Sequence, residues 1–306
     1  SEQEQHLLQQ LSVFAGGWTL EAAEALGAGL GPQPVATVLA RLVDKSLVLA
    51  EQQGAAVRYR MLETILQYAH EQLAKSDIET AARRQHCIYF LHLAEEAAQH
   101  FRGPAQAEWL DRLATEHGNL RAALTWALTN QPAESGARLG IALWRFWYIR
   151  GYYEEGWQWI QRLLNLVNQP EQRAHLLYGG GQLARRRGVS AEAADCFKAS
   201  LALFRTLEDP RGIASTLRGL GFIHYYRGEG EKARPLFEEA LALFRALDDK
   251  EGIAVTLDNL GYITNEREQE WRYYQESLAL RRQSGNLHGI TNSLAGLAYH
   301  AIHQGD

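Results

Sequence analysis

Cysteine, proline and long hydrophobic runs are scarce in this chain, and each shortage excludes a class of protein. The 306 residues include only two cysteines, Cys87 and Cys196, so a disulfide framework is excluded and a cytoplasmic location is expected. No run of eighteen apolar residues occurs, so no membrane-spanning helix is expected. The first residues lack the cationic and apolar segments of a secretory signal peptide. Seven prolines against 27 glycines indicate many helices that end at glycine.

The sequence also lacks the motifs that mark common enzymes and the positive charge that marks nucleic-acid-binding domains. No G-x-x-x-x-G-K-[ST], G-x-S-x-G, H-E-x-x-H or C-x-x-C pattern occurs, and the eleven histidines are scattered. The net charge is −5, whereas nucleic-acid-binding domains are usually basic. We therefore predict that this chain is not an enzyme, holds no metal or cofactor, and does not bind nucleic acid directly.

A repeat of about 40 residues dominates the second half of the chain. Gly-Ile-Ala occurs at 212–214 and again at 252–254, and Leu-Gly occurs at 220–221 and again at 260–261. Such periods are typical of stacked helical hairpins. The last full copy is about three residues short at its inner turn, so we expect a distorted hairpin there. The predicted hairpins occupy residues 137–171, 172–210, 211–250 and 251–287, with a partial copy at 288–306.

Each repeat predicts two helices that pack closely. In the copy 211–250, Gly221 stands on the first helix, and Ala233, Phe237 and Ala240 stand on the second. The spacings of four and three residues place these last side chains on one helical face, where the ring fills the space between small residues. This pattern resembles the tetratricopeptide repeat (TPR), whose helices carry a Leu-Gly pair followed by Ala, Phe and Ala at these offsets.

Aromatic residues are concentrated at 143–160, where eight of eighteen residues carry rings. The segment aligns onto the same hairpin, with Trp144 at the position of the small residue. We predict mainly a core at the end of the repeat array, where bulk replaces glycine. The alternative is a ligand cage built by Trp147, Tyr148 and Tyr152.

The N-terminal part has a different plan. Thr19 is placed to cap a second helix, residues 34–46 form a third amphipathic helix, and residues 47–62 form two short strands. Three helices followed by a β-hairpin indicate a winged helix. Its third helix offers only Arg41 and Lys45 as cations, fewer than DNA reading normally needs.

The predicted fold class is therefore mainly α: a winged-helix domain with a small β-hairpin, then an α-helical arm and a TPR-like α-solenoid. Six segments together resemble the C-terminal half of bacterial STAND proteins, which are signal-transduction ATPases with numerous domains. The predicted boundaries are 1–76 for the winged helix, 77–135 for the arm and 136–306 for the repeats. The segments are LSVFAGGWTLEAAEAL, LVDKSLV, YRMLETILQYAHEQL, YFLHLAEEA, WLDRLATEHGNLRAALTWAL and ALWRFWYIRGYYEEGWQWI.

This resemblance implies a regulatory role. In the family, an NB-ARC-type ATPase module that binds ADP or ATP with Mg²⁺ precedes the winged helix, the arm and a TPR sensor. An inducer, whether a protein, a peptide or a small molecule, would bind the sensor and release an autoinhibited ADP-bound state. The present chain would be monomeric, since family oligomers form through the ATPase. The alternative is a TPR adaptor that binds a partner protein without a nucleotide switch.

The resemblance also implies a contact with nucleotide just after the wing. There the family has a Met-His-Asp triplet whose His touches an ADP phosphate. The matching residues are Met61, Leu62 and Glu63, and leucine cannot donate a hydrogen bond to phosphate. Arg58 or Arg60 could substitute for the missing histidine.

The inner face of the repeats is the predicted ligand site. The first helix of each repeat carries one residue, such as Gly221, where the second helix is expected to cross it. The positions three before, one after and four after this crossing residue carry aromatics interleaved with arginines and amides. Such a surface suits a peptide or a small anion, although packing against the next repeat is an equal alternative. The set is Tyr148, Tyr178, Gln182, Arg185, Arg218, Phe222, Tyr225, Asp258, Tyr262, Asn265 and Tyr299.

Overall fold

The computed structural model describes residues 1–53, 56–130, 133–284 and 287–302. The chain forms two compact units. The first combines residues 1–97 with 111–139, and the second combines residues 98–110 with the chain from 140 onward. The mainly helical architecture with one small antiparallel sheet confirms the predicted fold class. The boundaries at 76 and 135 stay predictions.

The N-terminal elements follow the winged-helix plan. In chain order the elements are α1 (Glu2–Leu11), β1 (Gly17–Trp18), α2 (Leu20–Gly27), α3 (Val35–Asp44), β2 (Leu49–Gln53), β3 (Ala56–Arg60), α4 (Glu63–Ala74), α5 (Glu79–Gln99), α6 (Gln106–Thr115) and α7 (His117–Thr129). Among the described residues, three helices, α5 to α7, follow in the region expected to form the arm.

The sheet contains a strand that the sequence analysis missed. The strand β1 pairs with β3 on the edge opposite β2, so the order is β1-β3-β2 and all pairs are antiparallel. A Cβ at Gly17 would lie 2.8 Å from the carbonyl oxygen of Tyr59, so glycine permits this close pairing. The predicted cap of α2 is confirmed, since the Thr19 hydroxyl accepts from the amide of Ala22 at 3.3 Å.

One apolar core joins the winged helix to the first helix of the arm. Phe14 stacks on Trp18 with ring centres 5.3 Å apart and meets the edge of Phe90, on α5, at 6.1 Å. All three side chains are buried. Burying rings of this size is a major source of stability, so the two segments are expected to unfold together.

Helical hairpins make up the second unit, as the periodicity predicts. The two helices of each hairpin pack side by side, and each hairpin packs on the next. The helices are α8 (Ala133–Arg150), α9 (Tyr153–Leu164), α10 (Pro170–Arg186), α11 (Ser190–Thr206), α12 (Pro210–Tyr226), α13 (Gly230–Ala246), α14 (Lys250–Ile263), α15 (Arg267–Ser284) and α16 (Leu287–Ile302).

Glycine and phenylalanine meet where the helices of a hairpin cross. A Cβ at Gly181 would lie 2.6 Å from the ring of Phe197, and a Cβ at Gly221 would lie 2.5 Å from the ring of Phe237. Both rings are buried. The predicted complementarity between a small residue on the first helix and an aromatic residue on the second is therefore confirmed.

The hairpin of α14 and α15 is distorted as predicted. Its first helix has 14 residues, against 17 in α10 and α12, and ends at Ile263. Tyr274 takes the place of the aromatic residue, because its ring lies 2.8 Å from where a Cβ at Gly261 would stand. Ser277, three residues later, is also buried. The shortened hairpin thus keeps the crossing although its inner turn differs.

Candidate functional site

Four successive first helices, α8, α10, α12 and α14, bring predicted ligand residues into contact. The guanidinium of Arg185 donates to the Tyr148 hydroxyl at 3.1 Å and lies 5.1 Å from the centre of the Phe222 ring. Tyr225 and Tyr262 stack with ring centres 6.3 Å apart. These residues and their register equivalents share a surface that we call the first-helix face.

The inner part of this face is formed by residues of α10. Gln182 is buried, and its side-chain oxygen accepts from the guanidinium of Arg185 at 3.3 Å. Tyr178 is half-buried between the rings of Trp144 and Phe197, at centre distances of 5.5 and 6.1 Å. Its register equivalent on α12 is Arg218, which is also half-buried. Most of the predicted ligand residues are therefore partly buried or stacked on another aromatic ring.

Asp258 is the exception. The prediction that this residue binds a ligand is wrong, because its carboxylate is buried in an ion pair. Its side chain is buried and forms an ion pair with Arg281 of α15 at 2.7 Å, while the Ser293 hydroxyl donates to it at 3.4 Å. Burial raises the pKa of Asp258, and Arg281 and its hydrogen bonds act in the opposite direction. The carboxylate therefore stabilises the packing of α14 on α15 and is not available to a ligand.

The two remaining predicted residues lie at the C-terminal end of the array. Asn265 is exposed and follows the last residue of α14. The prediction for Tyr299 concerns a side chain outside the described part of the structure. Neither residue therefore adds a contact to the first-helix face.

Arg145 is the residue that the sequence analysis missed. It follows Trp144 directly, and so it occupies on α8 the register position of Gln182 and Phe222. Its guanidinium is half-buried and lies 5.6 Å from the centre of the Trp144 ring. Applying the same offset rule to α8 would have found it, but the tryptophan at the crossing position obscured the register.

The positive charges of neighbouring arginines act on both Arg145 and Tyr178. Burial and the charges of Arg102 and Arg218 lower the pKa of Arg145 to about 10, so the guanidinium remains protonated at neutral pH. Burial raises the pKa of Tyr178, but the charges of Arg218 and Arg145 act in the opposite direction and leave it below its ordinary value. The first-helix face is therefore a region of positive potential.

No ion pair among the described residues neutralises this positive charge, although the carboxylate of Glu251 has a small effect on the pKa of Arg145. Within the described residues, neither Arg145 nor Arg218 forms a salt bridge with a carboxylate, and Arg185 contacts a hydroxyl, an amide and a ring. Other arginines of the repeats do pair with acids. Examples are Arg187 with Glu154, Arg205 with Glu239, and Arg245 with Glu276.

The aromatic segment 143–160 is mainly core. Trp147 is 1% exposed and packs against Gly156, where an added Cβ would lie 2.8 Å from its side chain. Tyr152 is exposed by 36% and packs on the buried ring of Phe146. Because Trp147 is inaccessible, the cage interpretation is wrong, and the prediction of a core is confirmed.

Arg58, predicted to lie near nucleotide, has a structural role in the first unit. Its guanidinium forms a salt bridge with Glu116, the N-cap residue of α7, and donates to the Gly17 carbonyl at 2.9 Å. Asn119 extends this network, donating to Glu116 at 2.6 Å and accepting from the amide of Ala15 at 2.8 Å. These buried polar groups join β1 and β3 to the arm, so Arg58 is already engaged.

Arg60 and Leu62 remain accessible. Arg60 pairs with Glu51 at 2.7 Å with both side chains about half exposed, and Leu62 is 45% exposed. Arg60 lines a surface cavity of about 330 Å³ beside β3, together with Met61 and Glu63. The nucleotide contact of Arg60 and Leu62 stays a prediction.

The third helix of the winged helix presents little unbalanced positive charge. Lys45 pairs with Glu4 at 2.7 Å, and this hydrogen bond lowers the pKa of Glu4 to about 2. Arg41 donates to the neutral side chain of Gln33 at 2.8 Å. Arg41 is therefore the cation of this helix that keeps its charge unbalanced.

The described parts of the chain show neither a metal site nor a membrane-spanning helix. No group of three or more His, Cys, Asp or Glu side chains there could hold a metal ion. None of the described helices combines the length and the apolar character required to cross a bilayer. Both cysteines are buried, and burial raises the pKa of each thiol to about 11.

Two parts of the chain match known protein families. Residues 1–74 match the winged helix-turn-helix domain, and residues 212–271 match the tetratricopeptide repeat. Both domain types are typically non-catalytic.

Mycobacterial proteins share part of this sequence. Proteins of Mycobacterium bovis and Mycobacterium tuberculosis, provisionally named HTH-type transcriptional regulators, are 36% identical over 184 residues, or 58% of this chain. The chain spans about a fifth of the length of these relatives. An uncharacterized protein of Mycobacterium bovis is 40% identical over 90 residues, which is 27% of this chain and 23% of that protein.

Solved structures share the fold. A STAND protein with a tetratricopeptide repeat sensor from Pyrococcus horikoshii aligns with 99% of this chain and 54% of its own, with a TM-score of 0.50 and 17% identity. Aspartyl phosphate phosphatase F from Bacillus subtilis aligns with 92% of this chain and 68% of its own, with a TM-score of 0.55 and 11% identity. At these identities the likeness concerns the fold alone. The chain thus carries an N-terminal winged helix-turn-helix domain followed by tetratricopeptide-type helical repeats.

Proposed function

We propose that this chain is the regulatory part of a STAND-type ATPase, in which the repeats sense an inducer. The observation that carries the proposal is the first-helix face, where arginines that pair with no carboxylate among the described residues alternate with aromatic rings. Repeat arrays commonly bind their partners on such extended surfaces. A STAND protein with a tetratricopeptide repeat sensor aligns with 99% of this chain, which supports the same role.

The proposed mechanism is a shift between two states. The winged helix and the arm would hold an upstream ATPase in its ADP-bound form, and the inducer would bind the released form more tightly. A nearly complete switch requires a preference of about 5.5 kcal/mol for that form. Charged hydrogen bonds that the arginines of the first-helix face donate to an inducer are a suitable source of such a preference.

Nucleotide exchange tests this proposal. In the natural protein that contains this chain, removal of the repeats from residue 140 onward is expected to speed ADP release by about 5- to 150-fold, the usual range of coupling between sites. Release of a fluorescent ADP analogue from purified protein measures it. The substitution Arg205→Met serves as a control, since this exposed arginine pairs with Glu239 away from the first-helix face. Equal rates with and without the repeats would contradict the switch and favour the adaptor.

DNA binding is a second candidate, favoured by the winged helix-turn-helix match and by the names of the mycobacterial relatives. Against it, Lys45 pairs with Glu4, which leaves Arg41 as the unbalanced cation of the third helix. We expect only weak retention of duplex DNA in gel-shift assays, with no change in the Arg41→Ala variant. Retention that depends on both DNA sequence and Arg41 would establish DNA reading instead.

A further inference from the structure

Arg145, Tyr178 and Arg218 lie at neighbouring positions on adjacent repeats. The Trp144 ring, which Arg145 contacts at 5.6 Å, meets the Tyr178 ring at 5.5 Å, and Arg218 is the register equivalent of Tyr178 on a helix that contacts α10. Arg145 lies on α8, Tyr178 on α10 and Arg218 on α12, so three successive hairpins contribute one group each. All three side chains are half-buried, and the charges of both arginines act on the phenol. The cluster is therefore assembled by the stacking of the repeats and does not belong to any single helix.

Such a cluster is costly in the absence of a counter-ion. Partly buried guanidiniums lose hydration, and like charges repel one another. The positive charges of Arg102 and Arg218 both lower the pKa of Arg145, whereas the carboxylate of Glu251 raises it by a smaller effect. Elsewhere in this unit the same cost is offset by pairing, as it is for the buried Arg281 with Asp258.

Among the described residues, the two arginines face aromatic rings and pair with no carboxylate. Arg145 lies 5.6 Å from the centre of the Trp144 ring, and Arg218 lies 5.8 Å from the centre of the Phe244 ring. A ring face stabilises a cation more weakly than a paired carboxylate does. Arg185, one helical turn beyond Gln182, adds a third guanidinium near the ring of Phe222. An anion bound here would supply the missing negative charge.

We propose that Arg145 and Arg218 bind the carboxylate or phosphate group of a small organic anion, with the Tyr178 hydroxyl as a further donor. The Trp144 ring lies beside Tyr178, and the Phe222 ring lies beside Arg185, so aromatic surface is available to cover the rest of the molecule. A small molecule suits the site better than a peptide, because the charges lie at half-buried positions rather than on exposed side chains. This inference rests on the proposed sensing role of the repeats and specifies the chemistry of the inducer.

Binding of two probes to this chain tests the site. Pyrophosphate represents a phosphate source and citrate a carboxylate source, each measured by calorimetry against sodium chloride of equal ionic strength. At least one probe is expected to bind, and Arg145→Met and Arg218→Met are each expected to weaken binding at least about tenfold, the loss typical of a charged hydrogen bond. Arg205→Met, which removes a charge that pairs with Glu239, is expected to leave binding unchanged.

The melting temperature measured without any added anion provides a second test of the site. Arg145→Met is expected to keep or raise the melting temperature at low salt, since it removes a charge that other cations repel. A lowered melting temperature would show that Arg145 is a structural residue and would overturn the proposal.

The outcomes separate the two proposals. Equal binding of the probes to the wild-type, Arg145→Met and Arg218→Met chains, or no binding at all, would overturn the anion site while leaving the ATPase switch intact. Arginine-dependent binding of an acidic peptide without binding of either probe would also overturn it. Probe binding lost in both variants would support the anion site even if the nucleotide-exchange experiment failed.

Discussion

Replacing Arg281 with methionine is expected to lower the free energy of unfolding of the repeat unit by about 3–5 kcal/mol, the usual cost of removing one partner from a buried ion pair. Arg281 is 2% exposed, and its guanidinium binds the Asp258 carboxylate at 2.7 Å and the Gly289 carbonyl at 2.5 Å. Without it, a buried carboxylate loses its counter-charge and three helices lose a common contact. Urea unfolding followed by circular dichroism measures the change.

Matched variants identify the cause of this loss. Arg245→Met removes an arginine from an equally short pair with Glu276, but both side chains there are about half exposed, so a cost below about 1 kcal/mol is expected. Asp258→Asn in the Arg281→Met background removes the stranded charge and is expected to restore part of the stability. Equal losses for Arg281→Met and Arg245→Met would show that burial of the pair has no energetic consequence.

The loss should also depend on pH. Burial already raises the pKa of Asp258, and Arg281 is the strongest influence that lowers it. In the variant the folded-state pKa therefore rises further above the unfolded value of about 3.9. A raised carboxyl pKa makes the folded state less stable as pH increases from the unfolded pKa through the folded pKa. The difference between variant and wild type should accordingly shrink as the pH falls towards about 4.

Replacing Phe237 with alanine is expected to cost about 3–5 kcal/mol, as for other large aromatic residues of protein cores. The ring is 1% exposed and fills the space beside Gly221, and its centre lies 6.3 Å from that of Phe222. Its removal leaves a cavity where α12 and α13 cross, and the backbone at Gly221 has no side chain to fill it. Urea unfolding together with hydrogen exchange of the α12 and α13 amides measures the effect.

An exposed aromatic residue provides the control for this prediction. Tyr226, on the same hairpin, is 66% exposed, so Tyr226→Ala is expected to change stability by only about 0.5 kcal/mol. A Phe237→Ala chain as stable as the wild type would mean that the ring does not occupy the crossing. The hairpin register derived from the Ala233, Phe237 and Ala240 spacing would then be wrong.

The repeats were predictable because their signal is local and recurs. In the copies 172–210 and 211–250, a glycine on the first helix meets a ring on the second, and both occur at the same offsets from the turn. Even the irregular copy followed this rule, since a shortened α14 still meets the ring of Tyr274. By contrast β1 has only two residues, Gly17 and Trp18, and no alternation is detectable over such a length.

The candidate site was predictable only in part. The offset rule selected Tyr178, Arg185 and Arg218 correctly as residues of one face, because side-chain direction on a helix follows from position. The same rule selected Asp258, which is ion-paired with Arg281 on the following helix. The side chains that meet a given residue from another helix depend on packing, and spacing along the chain does not contain that information.

The sequence by itself determined the order of the helices, the hairpin period and the residues at the helix crossings, since all of these depend on periodicity within a few turns. Only the tertiary structure decided which charges are neutralised. It pairs Arg58 with Glu116 and Arg281 with Asp258, and it leaves Arg145 and Arg218 beside Tyr178 without an acidic partner among the described residues. Pairing is a contact between side chains distant in sequence, so the balance of charge that defines this site arises only when the helices pack.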